Sequence, residues 1–248
     1  MSVHPTSRNL HTVDQLRAIE HAALSALGIS GPELMRRAAS AALSSLRRHW
    51  PQVQHVCIHC GPGNNGGDGF LLGVLAREAG LQVDMVALTA SSHGDAAVAR
   101  AAWESADGQV LIWNEQAVLP EAELHVDALY GIGLNRAPGA APTRLIEAIN
   151  QRGRPVLALD VPSGLDADRG SCAAAAIRAD VTVTFIAGKR GLHTGRAADH
   201  VGVLELATLG VPESVCTAAA PTSRIRAPRR AARRRPSRPR TASSSLQA

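Results

Sequence analysis

The stretch Val53–Gly69, VQHVCIHCGPGNNGGDG, decides the fold. The apolar run at 53 to 58 reads as a strand, and a helical pattern follows at 68 to 80. Between them the glycines from Gly61 to Gly69 let the backbone approach a phosphate, and the helix start at about Asp68 offers free N–H groups to an anion. The loop contains G-x-G-x-x-G, which by itself does not specify a dinucleotide site. Asp84, the acid at about the right distance for a ribose, sits inside the next strand rather than at its end. The alternative is a tight turn built from glycines and asparagines.

Downstream the strand, loop, helix pattern repeats. Short apolar runs fall at 82 to 88, 109 to 113, 124 to 129, 155 to 159, 181 to 186 and 201 to 206, with helical stretches at 94 to 106 and 141 to 152. Continuous apolar strands alternating with helices predict a mainly parallel sheet covered on both faces. Upstream, Thr12 and Gln15 form a capping box for a helix whose apolar stripe runs Leu16, Ile19, Ala23, Leu27 and ends at Gly28. A second helix is expected from near Pro32 to about His49. The expected fold is an α/β, Rossmann-like three-layer αβα sandwich preceded by two N-terminal helices, with ligands beyond the carboxyl ends of the strands.

The 248 residues carry a formal charge of +5, but residues 1 to 215 hold 17 basic and 21 acidic side chains, a net −4. Nine of the 26 basic residues follow Cys216, in a stretch made almost wholly of Ala, Arg, Pro, Ser and Thr. The expectation is a domain at 1–215 and a disordered tail at 216–248. An arginine arm for nucleic acid or anionic membrane and a solvated extension are two readings of that tail. Its abrupt onset favours a third, a GC-rich gene read out of frame. The mildly acidic body makes nucleic acid an unexpected partner, and the first thirty residues show no signal peptide or membrane span, so a cytoplasmic protein is the default. Four cysteines are too few for a disulfide scaffold, and Cys57 and Cys60, a C-x-x-C, read as strand residues rather than a redox pair. The ten histidines show no close metal-ligand spacing, and Cys57, His59 and Cys60 do not complete a zinc set. A transition metal is therefore not expected.

Three more segments follow strands, so the fold should bring them to the edge that holds the glycine loop. Asp127-Ala-Leu-Tyr-Gly-Ile-Gly-Leu-Asn-Arg136 sets a carboxylate beside a second glycine loop, which suits cation or phosphate binding, or a capped turn. Asp160-Val-Pro-Ser163 sets a carboxylate and a hydroxyl three residues apart; Asp160 is placed for acid/base work, or for an Asx turn before proline. Lys189, between Gly188 and Arg190-Gly191, is the only lysine beside 25 arginines. So strong a bias should convert a lysine that merely needs to be positive, and its survival points to a required compact amine, or to chance on a surface loop. No G-x-S-x-G elbow and no Walker lysine is present.

Taken in order, GPGNNGGDG, DALYGIGL, LDVPSGLDAD and FIAGKRGLHTG resemble the NAD(P)HX epimerase family, the YjeF N-terminal domain, from about Thr12 to Pro212. The resemblance implies epimerisation of hydrated NADH and NADPH, NADHX and NADPHX, together with a bound potassium ion and frequent homodimerisation. Asn64, Asn65, Gly66, Gly67 and Asp68, with Gly131, Ile132, Gly133, Leu134, Asn135, Arg136 and Ala137, would line the dinucleotide. Asn65, Asp127 and Ser163 would ligate potassium, Asp160 would contact the hydrated ring, and Lys189 would be its acid/base partner. Many relatives carry an ADP-dependent dehydratase from about Val211, where the arginine tail begins here, so dehydration is expected from another chain. Two rival functions stand beside this one: an NAD-dependent dehydrogenase, which lacks its ribose acid, and a non-catalytic nucleotide- or RNA-binding module of the same fold.

Overall fold

The computed structural model describes residues 3–4, 9–134, 137–219 and 223–224. Its main sheet has eight strands: β1 (Val3–His4), β3 (His55–Cys60), β4 (Gln82–Ala87), β5 (Leu111–Ile112), β6 (Leu124–Ala128), β7 (Val156–Leu159), β8 (Val181–Phe185) and β10 (Val203–Ala207). Their order is β1-β10-β8-β7-β6-β3-β4-β5, parallel except for β1. From β3 the chain winds outward to β5, returns to β6 and winds the other way. The β3/β6 boundary is thus the topological switch point, where an open α/β sheet leaves a crevice at its carboxyl edge.

One sheet face carries Val56, Ile58, Leu124, Val126, Leu157 and Val183, packed under α2 (Gly31–His49), α3 (Asn64–Glu78) and α4 (Asp95–Ser105). The other carries Cys57 and Val156 against α5 (Ala140–Gln151) through Leu145, Ile146 and Ile149. The three-layer sandwich and both N-terminal helices are as expected. In α1 (Val13–Leu27), Thr12 accepts from Gln15 N–H while the Gln15 side chain accepts from Thr12 N–H, and Gly28 closes the helix at φ 63°.

Helix α3 corrects an expectation. It begins at Asn64, not at about Asp68, so Asn64–Asp68 form its first turn rather than a loop. The glycines that read as loop residues are packing residues: a Cβ at Gly67 would lie 2.6 Å from Met35 Sδ, and one at Gly69 2.7 Å from Cys60 Sγ. Tight burial offsets the roughly 1 kcal/mol that each costs in helix propensity.

A second sheet escaped the periodicity reading because its strands are too short to show one. It orders β11 (Ser223–Arg224), β2 (Asn9–His11) and β9 (Gly188–Lys189), with His11 in register with Lys189. The helix α6 (Glu213–Ala218) buries Cys216 with Leu16 and Ile19 of α1, and Gln15 Nε2 donates to Ala219 O at 3.0 Å. Folded structure therefore continues past residue 215, because α6 completes the cover over α1; apart from β11, the tail beyond residue 219 lies outside the described residues.

Glu205 on β10 ties α2 to the sheet, accepting from Ser45 Oγ at 2.7 Å and Arg48 at 2.7 Å, with His49 Nε2 2.9 Å away. Burial works to raise its carboxyl, but these partners outweigh it and hold Glu205 below the usual range. A depressed folded value gives stability present above the unfolded pKa and lost as pH falls through the folded one. Glu205→Gln is accordingly expected to cost about 1–3 kcal/mol near neutral pH. Urea titrations should show the two proteins converging below about pH 4; a constant gap down to pH 2 would show that charge is not the source.

Candidate active site at the switch point

A cavity of about 560 Å³ opens over the carboxyl ends of β3, β6, β7 and β8. Asn64, Asn65 and Asp68 of α3, Gly131–Leu134 of the second glycine loop, Asp160 and Lys189 line it, as do Arg17 and Glu20 of α1. The volume lies within the range of small-ligand sites.

Lys189 and Asp160 form its buried floor. Lys189 Nζ sits 2.8 Å from Asp160 Oδ1, and the two side chains are 2% and 13% exposed. Nζ also donates to Phe185 O at 2.9 Å and Ala187 O at 3.4 Å, so all three ammonium protons are engaged. The other carboxylate oxygen, Asp160 Oδ2, accepts from Ile132 N–H at 3.3 Å. Gly131 makes that approach possible: a Cβ there would stand 2.7 Å from Asp160 Oδ2. Asp160 and Ile186 hold left-handed φ of 65° and 67°, strained backbone that clusters at functional sites.

The expected residues divide into groups. Asn64, Asn65, Asp68, Gly131, Ile132, Gly133, Leu134, Asp160 and Lys189 share the cavity. Gly66 and Gly67 do not line it; a Cβ on Gly66 would lie 1.9 Å from Gly61 O, so it serves the close return of the loop. Ala137 is exposed and off the wall, and Asn135 and Arg136 lie outside the described residues. Asp127 and Ser163 sit beneath the cavity, fully buried. Asp127 Oδ1 accepts from Ser163 Oγ at 2.6 Å and Leu129 N–H at 3.2 Å, and its Oδ2 from Ser163 N–H at 2.7 Å. Burial pushes the Asp127 carboxyl up to about 6 despite these donors, all of them neutral.

Glu20 was missed, although its position carries a signal: it lies four residues from both Leu16 and Leu24, inside the apolar stripe of α1. Burial first, then the charge of Asp160, raises its carboxyl. Burial, reinforced by Asp160 and Glu20, lifts Asp68 well above the carboxylate range. His11, buried beside Lys189, is held neutral by burial and by that ammonium. Cys57 and Cys60 are free and face opposite sides of the sheet, so they form no redox pair. Among the described residues no helix is long and apolar enough to cross a membrane.

A family model described as YjeF-related protein N-terminus matches residues 31–191. The chain is 46% identical over 203 residues to the bifunctional NAD(P)H-hydrate repair enzyme Nnr of Coxiella burnetii, covering 81% of this chain and 41% of that one. It therefore spans about two fifths of that bifunctional relative. To the NAD(P)H-hydrate epimerase of Achromobacter xylosoxidans it is 39% identical over 205 residues, 81% of this chain and 95% of that one. The crystal structure of yeast ynu0 superposes with a TM-score of 0.73 at 18% identity, covering 88% of this chain and 96% of that one, and so shares its fold. With the match spanning both glycine loops, Asp160 and Lys189, the chain belongs to the family of YjeF-related N-terminal domains.

Proposed function

We propose that this chain is an isomerase that interconverts the R and S epimers of NADHX and NADPHX. The observation that carries the reading is the buried Lys189–Asp160 pair on the floor of a cavity whose rim is a free helix start and a glycine loop. Epimerisation at the hydrated carbon requires the hydroxyl to leave and water to return on the other face, or the ring to open and reclose. Both routes move a proton; loss of the hydroxyl passes through a cationic ring, and ring opening through an open-chain aldehyde. Asp160 Oδ2, on the cavity side of the ion pair, is the group placed to move the proton and to face that cation. Lys189, with its three protons committed, holds Asp160 in its strained conformation and balances its charge. Asp68, whose carboxyl burial pushes toward the protonated form, lines the cavity as a candidate donor to a departing hydroxyl. The N–H groups of Asn64 and Asn65 precede the first intrahelical bond, from Gly67 N–H to Gly63 O, and would meet the pyrophosphate. The direct test is chromatography of NADHX depleted in one epimer: restored balance in the presence of protein supports the reading, and unchanged epimers with turnover of intact NADH would support the dehydrogenase.

A potassium ion suits the residues beneath the cavity. Asn65 is buried, and neither its Oδ1 nor its Nδ2 has a partner. Asp127 is a buried carboxyl whose hydrogen-bond donors are all neutral. Asn65, Asp127 and Ser163 would supply the hard oxygen donors such a cation prefers; bound, it would add positive charge near the helix start. Potassium should therefore raise the melting temperature more than lithium, by the equivalent of about 2.7 kcal/mol at roughly 100-fold saturation. Asp127→Ala should erase the difference, and equal shifts for both ions in the unsubstituted chain would remove the site. We further read the working unit as a homodimer that works alongside an NAD(P)HX dehydratase in the cytoplasm; sedimentation of the purified chain checks the first of these.

A further inference from the structure

Beneath the switch point lies a second cluster that linear spacing conceals. Cys57 and His59 of β3 share the sheet face turned toward α5, since residues two apart on a strand point the same way. The register sets His125 of β6 opposite Cys57. Ligand atoms of the three residues lie within 4.8 Å of one another, and all three are fully buried. His59 Nε2 and His125 Nδ1 are 3.0 Å apart and share one ring proton, but His59 Nδ1 and His125 Nε2 have no partner. With the ring centroids 5.2 Å apart, those two unpaired nitrogens lie on the far sides of the pair. An ion would therefore sit at the facing nitrogens His59 Nε2 and His125 Nδ1, whose shared proton would move to the far nitrogen of its own ring. Unpaired polar atoms in an apolar layer mark the cluster as more than packing.

We propose that Cys57, His59 and His125 form a closed three-ligand site for a soft monovalent cation of the Cu⁺ class. One sulfur and two imidazoles make a soft donor set, suited to d¹⁰ ions. Charge and coordination number then select among them. A structural Zn²⁺ site asks for four ligands, and one thiolate would leave it a buried net charge. The apolar cover, with Leu145, Ile146 and Ile149 packed in the same layer as Cys57, leaves no open aqueous position. A monovalent ion with one thiolate is neutral and is satisfied by three donors. Binding forms an S–metal bond as the Cys57 S–H proton leaves to solvent, one proton per ion, with no electron transferred. The ion would clip β3 to β6 just below the cavity, since His59 is in register with Asp127.

The full-length chain tests this directly. Expressed in copper-supplemented medium, then titrated under reductant with Cu⁺ against a chromogenic chelator, it should hold one ion per chain. X-ray absorption should show one sulfur and two nitrogens, and a thiolate charge-transfer band should appear in the near ultraviolet. Cys57→Ser and His125→Gln should each weaken binding at least tenfold, while Cys172→Ser leaves it unchanged. Circular dichroism reports whether each variant folds, and Cys57→Ser, close in volume, decides the matter if His125→Gln does not. Three results would overturn the site: no bound ion from cells or titration, undiminished binding by Cys57→Ser, or Zn²⁺ displacing Cu⁺ at equal concentration.

Discussion

Lys189→Arg is expected to lower the epimerisation kcat nearly as far as Lys189→Ala, by about 10²-fold or more, the cost of misplacing the group it holds. The substitution keeps the charge and adopts the residue used everywhere else in the chain. It fails on shape. Three acceptors, Asp160 Oδ1, Phe185 O and Ala187 O, surround a single nitrogen in a slot that leaves the side chain 2% exposed. A planar guanidinium spreads its donors over a wider fork and cannot satisfy that pocket. Asp160 would then lose the partner that fixes it, while the helix start and glycine loop would remain in place. The affinity for a dinucleotide should change far less than kcat, and the two constants measured together separate these effects. Near wild-type kcat in the arginine variant would mean that positive charge alone suffices.

Asp160→Asn should lower kcat by a comparable factor and also destabilise the protein by about 3–5 kcal/mol, because it strands a buried ammonium without its counter-charge. The choice of asparagine isolates that effect. At φ 65° the backbone is left-handed, a region that asparagine tolerates and alanine does not. Asp160→Ala should therefore cost roughly a further 1–2 kcal/mol, visible as a lower urea midpoint at unchanged slope. If both variants unfold at the wild-type midpoint, the ion pair contributes nothing net to the fold.

Much of this was legible in the sequence because continuous apolar strands and capped helices announce themselves locally. The capping box at Thr12 and Gln15 and the strand-end positions of Asp127, Asp160 and Lys189 needed no tertiary knowledge. The misreadings share a cause. Gly67 and Gly69 look like loop residues until Met35 and Cys60 pack where their side chains would be, and Gly66 until the Gly61 carbonyl does. Likewise β2 and β9 are too short for any period, and His125 meets His59 only through a sheet register that joins residues 66 positions apart. Glu20 was hidden differently, since an acid in an amphipathic helix usually faces water.

The small sheet also sets an order of assembly on the ribosome. Its strands come from residues 9–11, 188–189 and 223–224, so the first of them waits for two that are synthesised much later. Until then, the Leu16, Ile19 and Ala23 face of α1 has neither Ala187 nor Cys216 to cover it. The parallel core from β3 to β7 can condense first, and the lysine-bearing floor of the cavity closes only after Lys189 has been added. Vectorial synthesis thus leaves a nascent chain whose glycine-loop rim is built while the Lys189–Asp160 floor is unfinished, the stage at which a chaperone would find α1 exposed.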